Sequence, residues 1–559
     1  MKMKIGEFLL LRLRQIGVRH VFGVPGDFNL QLLEQFGSVD GIEFIGTCNE
    51  LNASYAADGY ARVNGVGAVL TTYGVGDLSA ICGLAGACAE HVPVVMISGA
   101  PPLYAIESRL RMHHTLGEGN FDNVRVCMHQ FTCASVRLTP SNVASELDRV
   151  LLACRRDKLP VYIQVPSDIT WLEVEVPDDE LVFTMPSGDA ERLASSVAGI
   201  TALLERAEYP LMLIDDDADR CGLAQDLFRI AKARNIPYLQ CRTGKGIMPE
   251  RDPLYMGIYN GDGSAPDVLE AMRRTDCLIA TAPAFSEASA MASPNDLPAQ
   301  ADVYIRDGSV FVCGEPFEAV DSHELVSALA EKLCVGAPDT SDELPAPECP
   351  PAQEGKPLAQ EWLWKRVQNF LKGGDLVCAE NGTSLSALSG GRLPNGTAFI
   401  AQILWGAIGY ALPALLGAMT ADGKRRGVLF IGDGSLQLTV QELSTLLARG
   451  EKPVIFILNN GGYTIERYIL GMDSAYNDIA DWKYSRLPSV LAPDADVFCA
   501  EVSTEDGLEA ALAEAGKGER AAVIELHLAR DDAPGALKKF CAMTAELDYG
   551  PRGPQRAGR

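Results

Sequence analysis

The sequence predicts an α/β protein of three domains, each with a doubly wound parallel β-sheet. The chain has 559 residues, whereas a single hydrophobic core rarely organises more than about 250–300. Near-continuous apolar runs recur along it, each followed by glycine or a polar turn and then by helix-like sequence. Strands of this kind are typical of parallel sheets that helices cover on both faces. The clearest runs are residues 67–74, 92–99, 160–168, 210–217, 276–283, 427–434, 453–460 and 521–528.

Two turn-rich segments divide the chain. Residues 176–191 are acidic and rich in turn formers, and residues 335–358 contain six prolines, which is typical of a surface linker. The predicted domains are therefore residues 1–178, 190–340 and 356–559.

Charge and cysteine content limit the partners and the compartment. A formal charge of -26 and a pI near 4.7 oppose binding to nucleic acid or to an anionic membrane through a basic surface. The fifteen cysteines include no CxxC pair. Buried thiols in a reducing cytoplasm are expected, rather than a disulfide framework or a zinc site. The thiols expected in apolar runs include Cys48, Cys88, Cys277 and Cys378.

Two apolar segments need to be distinguished from targeting or membrane signals. The N-terminal run is interrupted by Glu7, Arg12 and Arg14, and it predicts an amphipathic helix rather than a signal peptide. The apolar face of this helix comprises Ile5, Phe8, Leu9 and Ile16. Residues 397–421 contain no charge, but glycines and a proline interrupt them, so we expect a buried helix there rather than a membrane span.

Two loops at strand ends carry the strongest chemical signal. GVLFIGDGSLQL runs into Asp433 between two glycines, and PVIFILNNGGYTIE places Asn460 27 residues later. Ligands of parallel sheets bind beyond the carboxyl ends of the strands. Oxygens of Asp433, Asn460 and the backbone near Gly462 suit Mg²⁺, and glycine amides at a helix start can hold a phosphate. The pair predicts a magnesium diphosphate site. The alternatives are two plain glycine turns, or a nucleotide-binding loop without the P-loop lysine.

Further motifs extend this pattern over nearly the whole chain. They are HVFGVPGDFN (20–29), CNELNASYAADGYAR (48–62), TTYGVGDLSA (71–80), HHTLGEG (113–119) and NNGGYTIE (459–466). With the two loops, they resemble the thiamine-diphosphate-dependent 2-oxoacid decarboxylases, a family that includes pyruvate, indolepyruvate and branched-chain oxoacid decarboxylases. The family's pyrimidine-binding, middle and diphosphate-binding domains would fall, in this order, on the three predicted domains.

The resemblance implies a site for thiamine diphosphate and Mg²⁺. The metal ligands would be Asp433, Asn460 and the Gly462 carbonyl. Gly461 stands where relatives usually carry a side chain, which would loosen the loop without removing a ligand. Glu50 would hydrogen-bond N1′ of the aminopyrimidine, Ile408 would support the bent cofactor, and the Gly406 carbonyl would accept from its 4′-amino group. The full set of expected cofactor contacts is Glu50, Thr383, Gly406, Ile408, Gly432, Asp433, Gly434, Ser435, Asn460, Gly462, Tyr463, Thr464 and Ile465.

The resemblance also implies the catalytic residues and the assembly. The matching proton-handling positions are Asp27, Glu50, His113, His114 and Glu466. Considered alone, two adjacent histidines in a loop would more often be polar surface. In family dimers the glutamate at the Glu50 position reaches a cofactor held by the other subunit, so a homodimer or homotetramer is expected.

The substrate is expected to be a small-molecule 2-oxoacid. Pyruvate-specific relatives narrow the pocket with a tryptophan where Leu385 stands, and they place another on the C-terminal helix, where this chain has none after Trp482. Bulky aliphatic or aromatic substrates, such as phenylpyruvate, indolepyruvate and branched-chain 2-oxoacids, are therefore favoured. The expected pocket residues are Leu385, Ile465, Ile469 and Phe540.

Three alternatives stay open. The chain could be a pyruvate decarboxylase that produces acetaldehyde. It could be an acetohydroxyacid-synthase-like carboligase, against which the His113–His114 pair and Glu466 argue. A catalytically inactive binding protein of the same fold would be expected to have lost Glu50 or a metal ligand, and neither is lost.

Overall fold

The computed structural model describes residues 1–183, 189–281, 286, 301–306, 309–313, 315–317, 320–335 and 343–549. Three α/β units with mainly parallel sheets follow one another along this part of the chain, which confirms the predicted fold class. Each of the apolar runs predicted as strands contains a strand.

The N-terminal unit has a six-stranded sheet in the order β3-β2-β4-β5-β7-β6, with all strand pairs parallel. Strands β1 and β8 form a separate antiparallel pair. The elements are β1 (Lys2–Lys4), α1 (Ile5–Gln15), β2 (His20–Gly23), α2 (Leu30–Leu33), β3 (Glu43–Gly46), α3 (Glu50–Asn64), β4 (Gly67–Thr72), α4 (Val75–Ala89), β5 (Val94–Ala100), α5 (Leu103–Glu107), α6 (Asn123–His129), β6 (Ala134–Arg137), α7 (Val143–Asp157), β7 (Val161–Pro166) and β8 (Glu173–Glu175). Helix α1 is the predicted amphipathic helix, and its apolar face is buried.

The middle unit has a seven-stranded sheet in the order β11-β10-β9-β12-β13-β14-β15. The pairs from β11 to β13 are parallel, and the last two pairs are antiparallel. The elements are α8 (Ala190–Arg206), β9 (Pro210–Ile214), α9 (Asp217–Arg220), α10 (Ala224–Arg234), β10 (Tyr238–Cys241), β11 (Tyr255–Tyr259), α11 (Pro266–Arg274), β12 (Cys277–Ala280), β13 (Val303–Arg306), β14 (Ser309–Val312), β15 (Glu315–Phe317) and α12 (Ser322–Leu333).

The C-terminal unit has a six-stranded parallel sheet in the order β17-β16-β18-β19-β21-β20. The elements are α13 (Gln360–Phe370), β16 (Leu376–Ala379), α14 (Thr383–Ser389), β17 (Ala398–Ile400), α15 (Ala411–Ala421), β18 (Gly427–Gly432), α16 (Asp433–Thr439), α17 (Glu442–Ala448), β19 (Val454–Asn459), α18 (Thr464–Ile469), α19 (Leu487–Leu491), β20 (Val497–Val502), α20 (Glu505–Ala515), β21 (Ala521–His527) and α21 (Gly535–Tyr549).

The strand order places the predicted site residues where ligands usually bind. In the N-terminal sheet the order reverses between β2 and β4, and in the C-terminal sheet it reverses between β16 and β18. The crevice at such a switch point, outside the carboxyl ends of the strands, is the usual ligand site. Asp27 follows β2, and Asp433 directly follows β18.

The N-terminal and C-terminal units are joined by close packing of α3 against α15. A Cβ atom at Gly417 would lie 1.8 Å from the Ala56 carbonyl oxygen, and one at Gly59 would lie 2.1 Å from the Ala414 carbonyl oxygen. The two helix backbones therefore approach to a distance that only glycine permits at these positions.

Two expectations need correction. The uncharged segment 397–421 is helical only from Ala411 to Ala421, because Ala398–Ile400 form β17 and the positive φ angles of Gly406 and Gly409 hold the connection to the helix in a loop. Cys48 is exposed rather than buried, because it lies in the turn before α3 instead of inside a strand. Cys277 and Cys378 are buried as expected. No helix in the described ranges has the length and apolarity that a membrane crossing requires.

Candidate active site

Asp433 organises the loop that follows β19. Its Oδ2 accepts hydrogen bonds from the backbone N–H groups of Asn460, Gly461 and Gly462 at 3.1, 2.7 and 3.2 Å. Its Oδ1 accepts from the Gly434 N–H at 2.8 Å. Burial raises the pKa of Asp433 to about 6, although these hydrogen bonds oppose the rise. The Asp433 carboxylate, which the sequence predicts as a metal ligand, therefore also holds the loop that carries the other two predicted ligands, Asn460 and Gly462.

The oxygens around this loop fit a divalent cation. Asn460 is buried, and its Oδ1 has no hydrogen-bond partner. A buried polar atom without a partner is costly, and a bound cation would satisfy it. Gly462 has a φ of 141°, and a Cβ atom there would lie 2.0 Å from the Asn477 carbonyl oxygen, so no side chain can occupy this turn. Carboxylate, amide and carbonyl oxygens are the ligand types that Mg²⁺ prefers.

The segment before α15 carries two of the expected cofactor contacts, Gly406 and Ile408. The Gly406 carbonyl accepts a hydrogen bond from Asn381 Nδ2 at 3.1 Å and retains a second lone pair. Ile408 is half-buried two residues later. Thr383 begins α14 after β16, at the switch point. No sequence motif indicates Asn381 as a partner of this segment.

Glu380, directly after β16, is a functional candidate that no sequence motif indicates. It is 1% exposed, and its oxygens accept from the N–H groups of Asn381 at 3.0 Å and Ala411 at 3.1 Å. Burial raises the pKa of Glu380 to about 7. It fixes the start of α15 behind the Gly406 loop. The only sequence signal was an acidic residue directly after an apolar strand.

Glu50 lies at the first position of α3. Asn49 caps the helix, because its side chain accepts from the Asn52 N–H at 2.8 Å. The Glu50 side chain is half-buried, and a Cβ atom at Gly76 would lie 3.1 Å from its Oε1. The glycine therefore leaves room for the carboxylate at the switch point.

Asp27, His113 and His114 lie close together. His113 Nε2 lies 2.6 Å from Asp27 Oδ2, and His114 Nε2 lies 3.6 Å from Asp27 Oδ1. The His113 ring stacks on Phe28 with centroids 4.8 Å apart. These contacts link two segments far apart in sequence through hydrogen-bonding and stacking. Phe28 was not predicted from the motif, although it directly follows Asp27.

A single turn, Gly74–Gly76, connects the histidine loop with Glu50. A Cβ atom at Gly74 would lie 2.0 Å from the His114 carbonyl oxygen, while Gly76 packs beside Glu50. The turn is held by the buried Asp77, which accepts from the Gly74 N–H at 3.1 Å. Asp77 also accepts three hydroxyl hydrogen bonds, from Thr71, Ser98 and Tyr162. Asp77 is a second supporting residue whose role the sequence motifs do not indicate.

The expected pocket residues divide between two apolar clusters. Ile465, Ile469 and Phe540 pack together with Leu537 and Cys541, where α18 meets α21. Leu385 is 2% exposed and packs instead with Ala401 and Ile403. Glu466 lies on α18 between Ile465 and Ile469. Phe540 also borders a cavity of about 280 Å³ between the middle and C-terminal units, which Arg242 and Arg392 line.

Large apolar side chains are exposed in the segments that carry the candidate residues. All are at least 40% exposed, and they lie beside the Gly74 turn, the histidine loop, Gly406, Asp433 and Glu466. They are Val75, Leu78, Leu116, Leu404, Trp405, Leu438 and Leu470. Exposed apolar patches are typical of interaction surfaces.

Comparison with protein families identifies related domains in all three units. Residues 3–125 match the thiamine pyrophosphate enzyme N-terminal TPP binding domain, residues 197–306 match the central domain, and residues 386–526 match the C-terminal TPP binding domain. The matches follow the domain order that the sequence predicts.

Full-length relatives and a solved structure agree with these matches. An alpha-keto-acid decarboxylase of Mycobacterium avium is 37% identical over 553 residues, covering 98% of both chains. A pyruvate decarboxylase of Aspergillus fumigatus is 35% identical over 555 residues, covering 97% of this chain and 96% of its own. The fold is similar to that of a thiamine diphosphate-dependent 4-hydroxybenzoylformate decarboxylase of Rhodococcus jostii RHA1, with a TM-score of 0.75, 22% identity, and coverage of 95% of this chain and 100% of the other. This chain belongs to the thiamine pyrophosphate enzyme family, and it is a thiamine-diphosphate-dependent decarboxylase.

Proposed function

We propose that this chain converts a 2-oxoacid into an aldehyde and CO₂ without oxidation, using thiamine diphosphate and Mg²⁺. The observation that carries this proposal is the cluster of Asp27, His113 and His114, with a 2.6 Å contact between His113 and Asp27. Release of an aldehyde requires a proton at the carbon that has lost CO₂, and this cluster supplies groups that can hold and deliver one.

The C-terminal unit would hold the diphosphate and the metal. Asp433, Asn460 and the Gly462 carbonyl would bind Mg²⁺, and the first turn of α16, with Gly434 and Ser435, would face the diphosphate. Backbone N–H groups at a helix start favour an anion. When bound, thiamine diphosphate supplies the electron sink that loss of CO₂ from a 2-oxoacid requires.

The remaining residues would orient the cofactor and move protons. Glu50 would hydrogen-bond N1′ of the aminopyrimidine, and the Gly406 carbonyl would accept a hydrogen bond from the 4′-amino group. Glu466 would assist the loss of CO₂ and the protonation that follows, while Asp27 and His114 would help to protonate and release the aldehyde. The exposed carboxylate of Glu466 lies on the C-terminal unit, whereas Asp27 belongs to the N-terminal unit.

A second copy of the chain would complete the site. The exposed apolar side chains beside the candidate residues support a homodimer, or a homotetramer built from dimers, with active sites between subunits. The free thiols of all fifteen cysteines suit the reducing cytoplasm.

The preferred substrates would be bulky aliphatic or aromatic 2-oxoacids. Leu385 replaces the tryptophan of pyruvate-specific relatives, and Ile465, Ile469 and Phe540 form an apolar wall near Glu466. A relative named pyruvate decarboxylase at 35% identity makes pyruvate the second candidate. A hydrophobic pocket discriminates by only about 10–200-fold per methylene, so weak use of pyruvate is expected even when bulky substrates are preferred.

Steady-state kinetics with four substrates tests this proposal. Pyruvate, 4-methyl-2-oxopentanoate, phenylpyruvate and indolepyruvate are compared by kcat/KM, and acetolactate is measured in the pyruvate reaction. Higher kcat/KM for the three bulky substrates supports the proposed pocket. Aldehyde formation confined to pyruvate rejects the pocket and keeps the reaction. Acetolactate as the main product rejects the decarboxylase in favour of the carboligase.

A further inference from the structure

Arg467, the residue after Glu466, is buried beneath the proposed metal loop. The side chain is fully enclosed, although arginine is rarely buried without partners. Its Nη1 donates to the Asn460 carbonyl at 3.1 Å, and its Nη2 donates to the Gly461 carbonyl at 2.7 Å. Nη2 also contacts the Asp478 carboxylate at 2.9 Å. One guanidinium thus holds two consecutive carbonyls of the loop that carries Asn460 and Gly462.

Arg467 and Asp433 hold the same peptide groups from opposite ends. Asp433 accepts from the N–H groups of Asn460, Gly461 and Gly462, while Arg467 donates to the carbonyls of Asn460 and Gly461. Gly461 and Gly462 have φ angles of 70° and 141°, so this turn has little conformational preference of its own. The hydrogen bonds of Asp433 and Arg467 therefore hold the backbone of residues 460–462, which two consecutive glycines would otherwise leave flexible.

The residues around Gly462 leave space for the Arg467 guanidinium and for no further side chain. A Cβ atom at Gly462 would lie 2.8 Å from Arg467 Nη2. Gly462 forms an isolated antiparallel bridge with Asp478, and the Tyr463 N–H donates to the Asn477 carbonyl at 2.9 Å. Residues 477 and 478 therefore close the turn from below, and Asp478 is placed against Arg467.

Asp478 also balances the positive charge of Arg467. A buried positive charge a few ångströms from a divalent cation site would weaken cation binding by repulsion. The Asp478 carboxylate pairs with Arg467 and offsets that charge. It also receives Arg530 Nη2 at 2.9 Å, but this second arginine is 43% exposed and is screened by solvent.

We propose that Arg467 is a positioning residue for the metal site. It fixes the 460–462 turn so that the Asn460 Oδ1 and the Gly462 carbonyl converge with Asp433 on Mg²⁺. This inference rests on the proposed metal site. Lysine cannot replace it fully, because a compact ammonium group lacks the planar fork that reaches both carbonyls and the carboxylate.

The test compares Arg467→Met, Arg467→Lys and the control Arg530→Met. The control removes the other arginine from Asp478 and leaves the contacts of the guanidinium with the loop intact. Isothermal titration calorimetry measures Mg²⁺ binding to EDTA-treated full-length protein saturated with thiamine diphosphate. Loss of a group that orients metal ligands usually costs about 10–100-fold in metal affinity. We expect that loss for Arg467→Met, a smaller loss for Arg467→Lys, and less than about a twofold change for Arg530→Met.

The outcomes separate this inference from the proposed function. If wild-type protein binds Mg²⁺ and both Arg467 variants bind it with the same affinity, the positioning role is rejected and the proposed metal site is retained. Absence of Mg²⁺ binding in wild-type protein rejects the metal site itself. If Arg467→Met does not give the wild-type far-ultraviolet circular dichroism spectrum, Arg467→Lys decides: unchanged affinity in that variant rejects the inference. If Arg530→Met lowers the Mg²⁺ affinity as much as Arg467→Met does, the charge balance at Asp478 sets the affinity rather than the contact of Arg467 with the loop. This outcome also rejects the positioning role.

Discussion

Substitution of Gly74 by alanine tests the geometry of the histidine loop. Gly74 has a φ of 74°, and the added Cβ atom would lie 2.0 Å from the His114 carbonyl oxygen, whereas such contacts below 3.0 Å essentially do not occur. The His114 backbone must therefore move by about 1 Å. Misplacement of a catalytic group by about 1 Å can cost about 10²-fold in rate, which corresponds to about 2.7 kcal/mol.

The matched control is Gly450→Ala. Gly450 has a φ of 77°, but nothing lies within 4 Å of an added Cβ atom. Both substitutions place alanine at a positive φ angle that favours glycine, but only Gly74→Ala displaces His114. We expect kcat for aldehyde release to fall about 100-fold in Gly74→Ala and by less than about threefold in Gly450→Ala. Binding of thiamine diphosphate to the C-terminal unit should be preserved in both. A Gly74→Ala enzyme with wild-type kcat would refute the reasoning.

Three further predictions follow from other contacts. Asn460→Ala should raise the Mg²⁺ concentration required for activity about 100-fold with little change in Tm, because the Oδ1 has no protein partner; an unchanged Mg²⁺ requirement would contradict this. Burial raises the pKa of Asp77 to about 6 from 3.8, so its contribution to stability is present at low pH and is lost as the pH rises through 6. Asp77→Asn should therefore lower Tm more at pH 4.5 than at pH 7.5, and the opposite order in thermal unfolding would show that the carboxylate stays ionised. Gly417→Ala places a Cβ atom 1.8 Å from the Ala56 carbonyl oxygen. It should lower the free energy of unfolding by about 1–3 kcal/mol, because α3 and α15 must move apart. A wild-type melting curve would contradict this prediction.

The parts of the fold that the sequence predicts are those set by local pattern. Continuous apolar runs identify the central strands, because strands buried on both faces have no polar alternation. Short strands such as β2 and β17 were not predicted, because three or four residues carry too little periodicity to be distinguished from loop. The helix at residues 411–421 was predicted to be longer, because composition does not reveal the positive φ angles of Gly406 and Gly409.

The candidate site divides in the same way. Asp433 and Asn460 could be identified because glycine-flanked polar residues at the ends of apolar strands are a strong local signal. Glu380 and Asp77 could not, since their roles depend on backbone groups that only the tertiary structure brings to them. Leu385 shows the limit most clearly: its identity predicts a roomier pocket, but its contacts are with Ala401 and Ile403 and not with the cluster around Phe540.

Reconstitution of activity tests the central claim most directly. Protein stripped with EDTA is assayed for aldehyde release from phenylpyruvate with neither cofactor, with Mg²⁺ alone, with thiamine diphosphate alone, and with both; CO₂ is measured alongside. We predict activity only with both, and one aldehyde formed for each CO₂. Equal activity in all four conditions, or CO₂ released without aldehyde, would contradict a decarboxylase whose Asp433 loop binds a magnesium diphosphate.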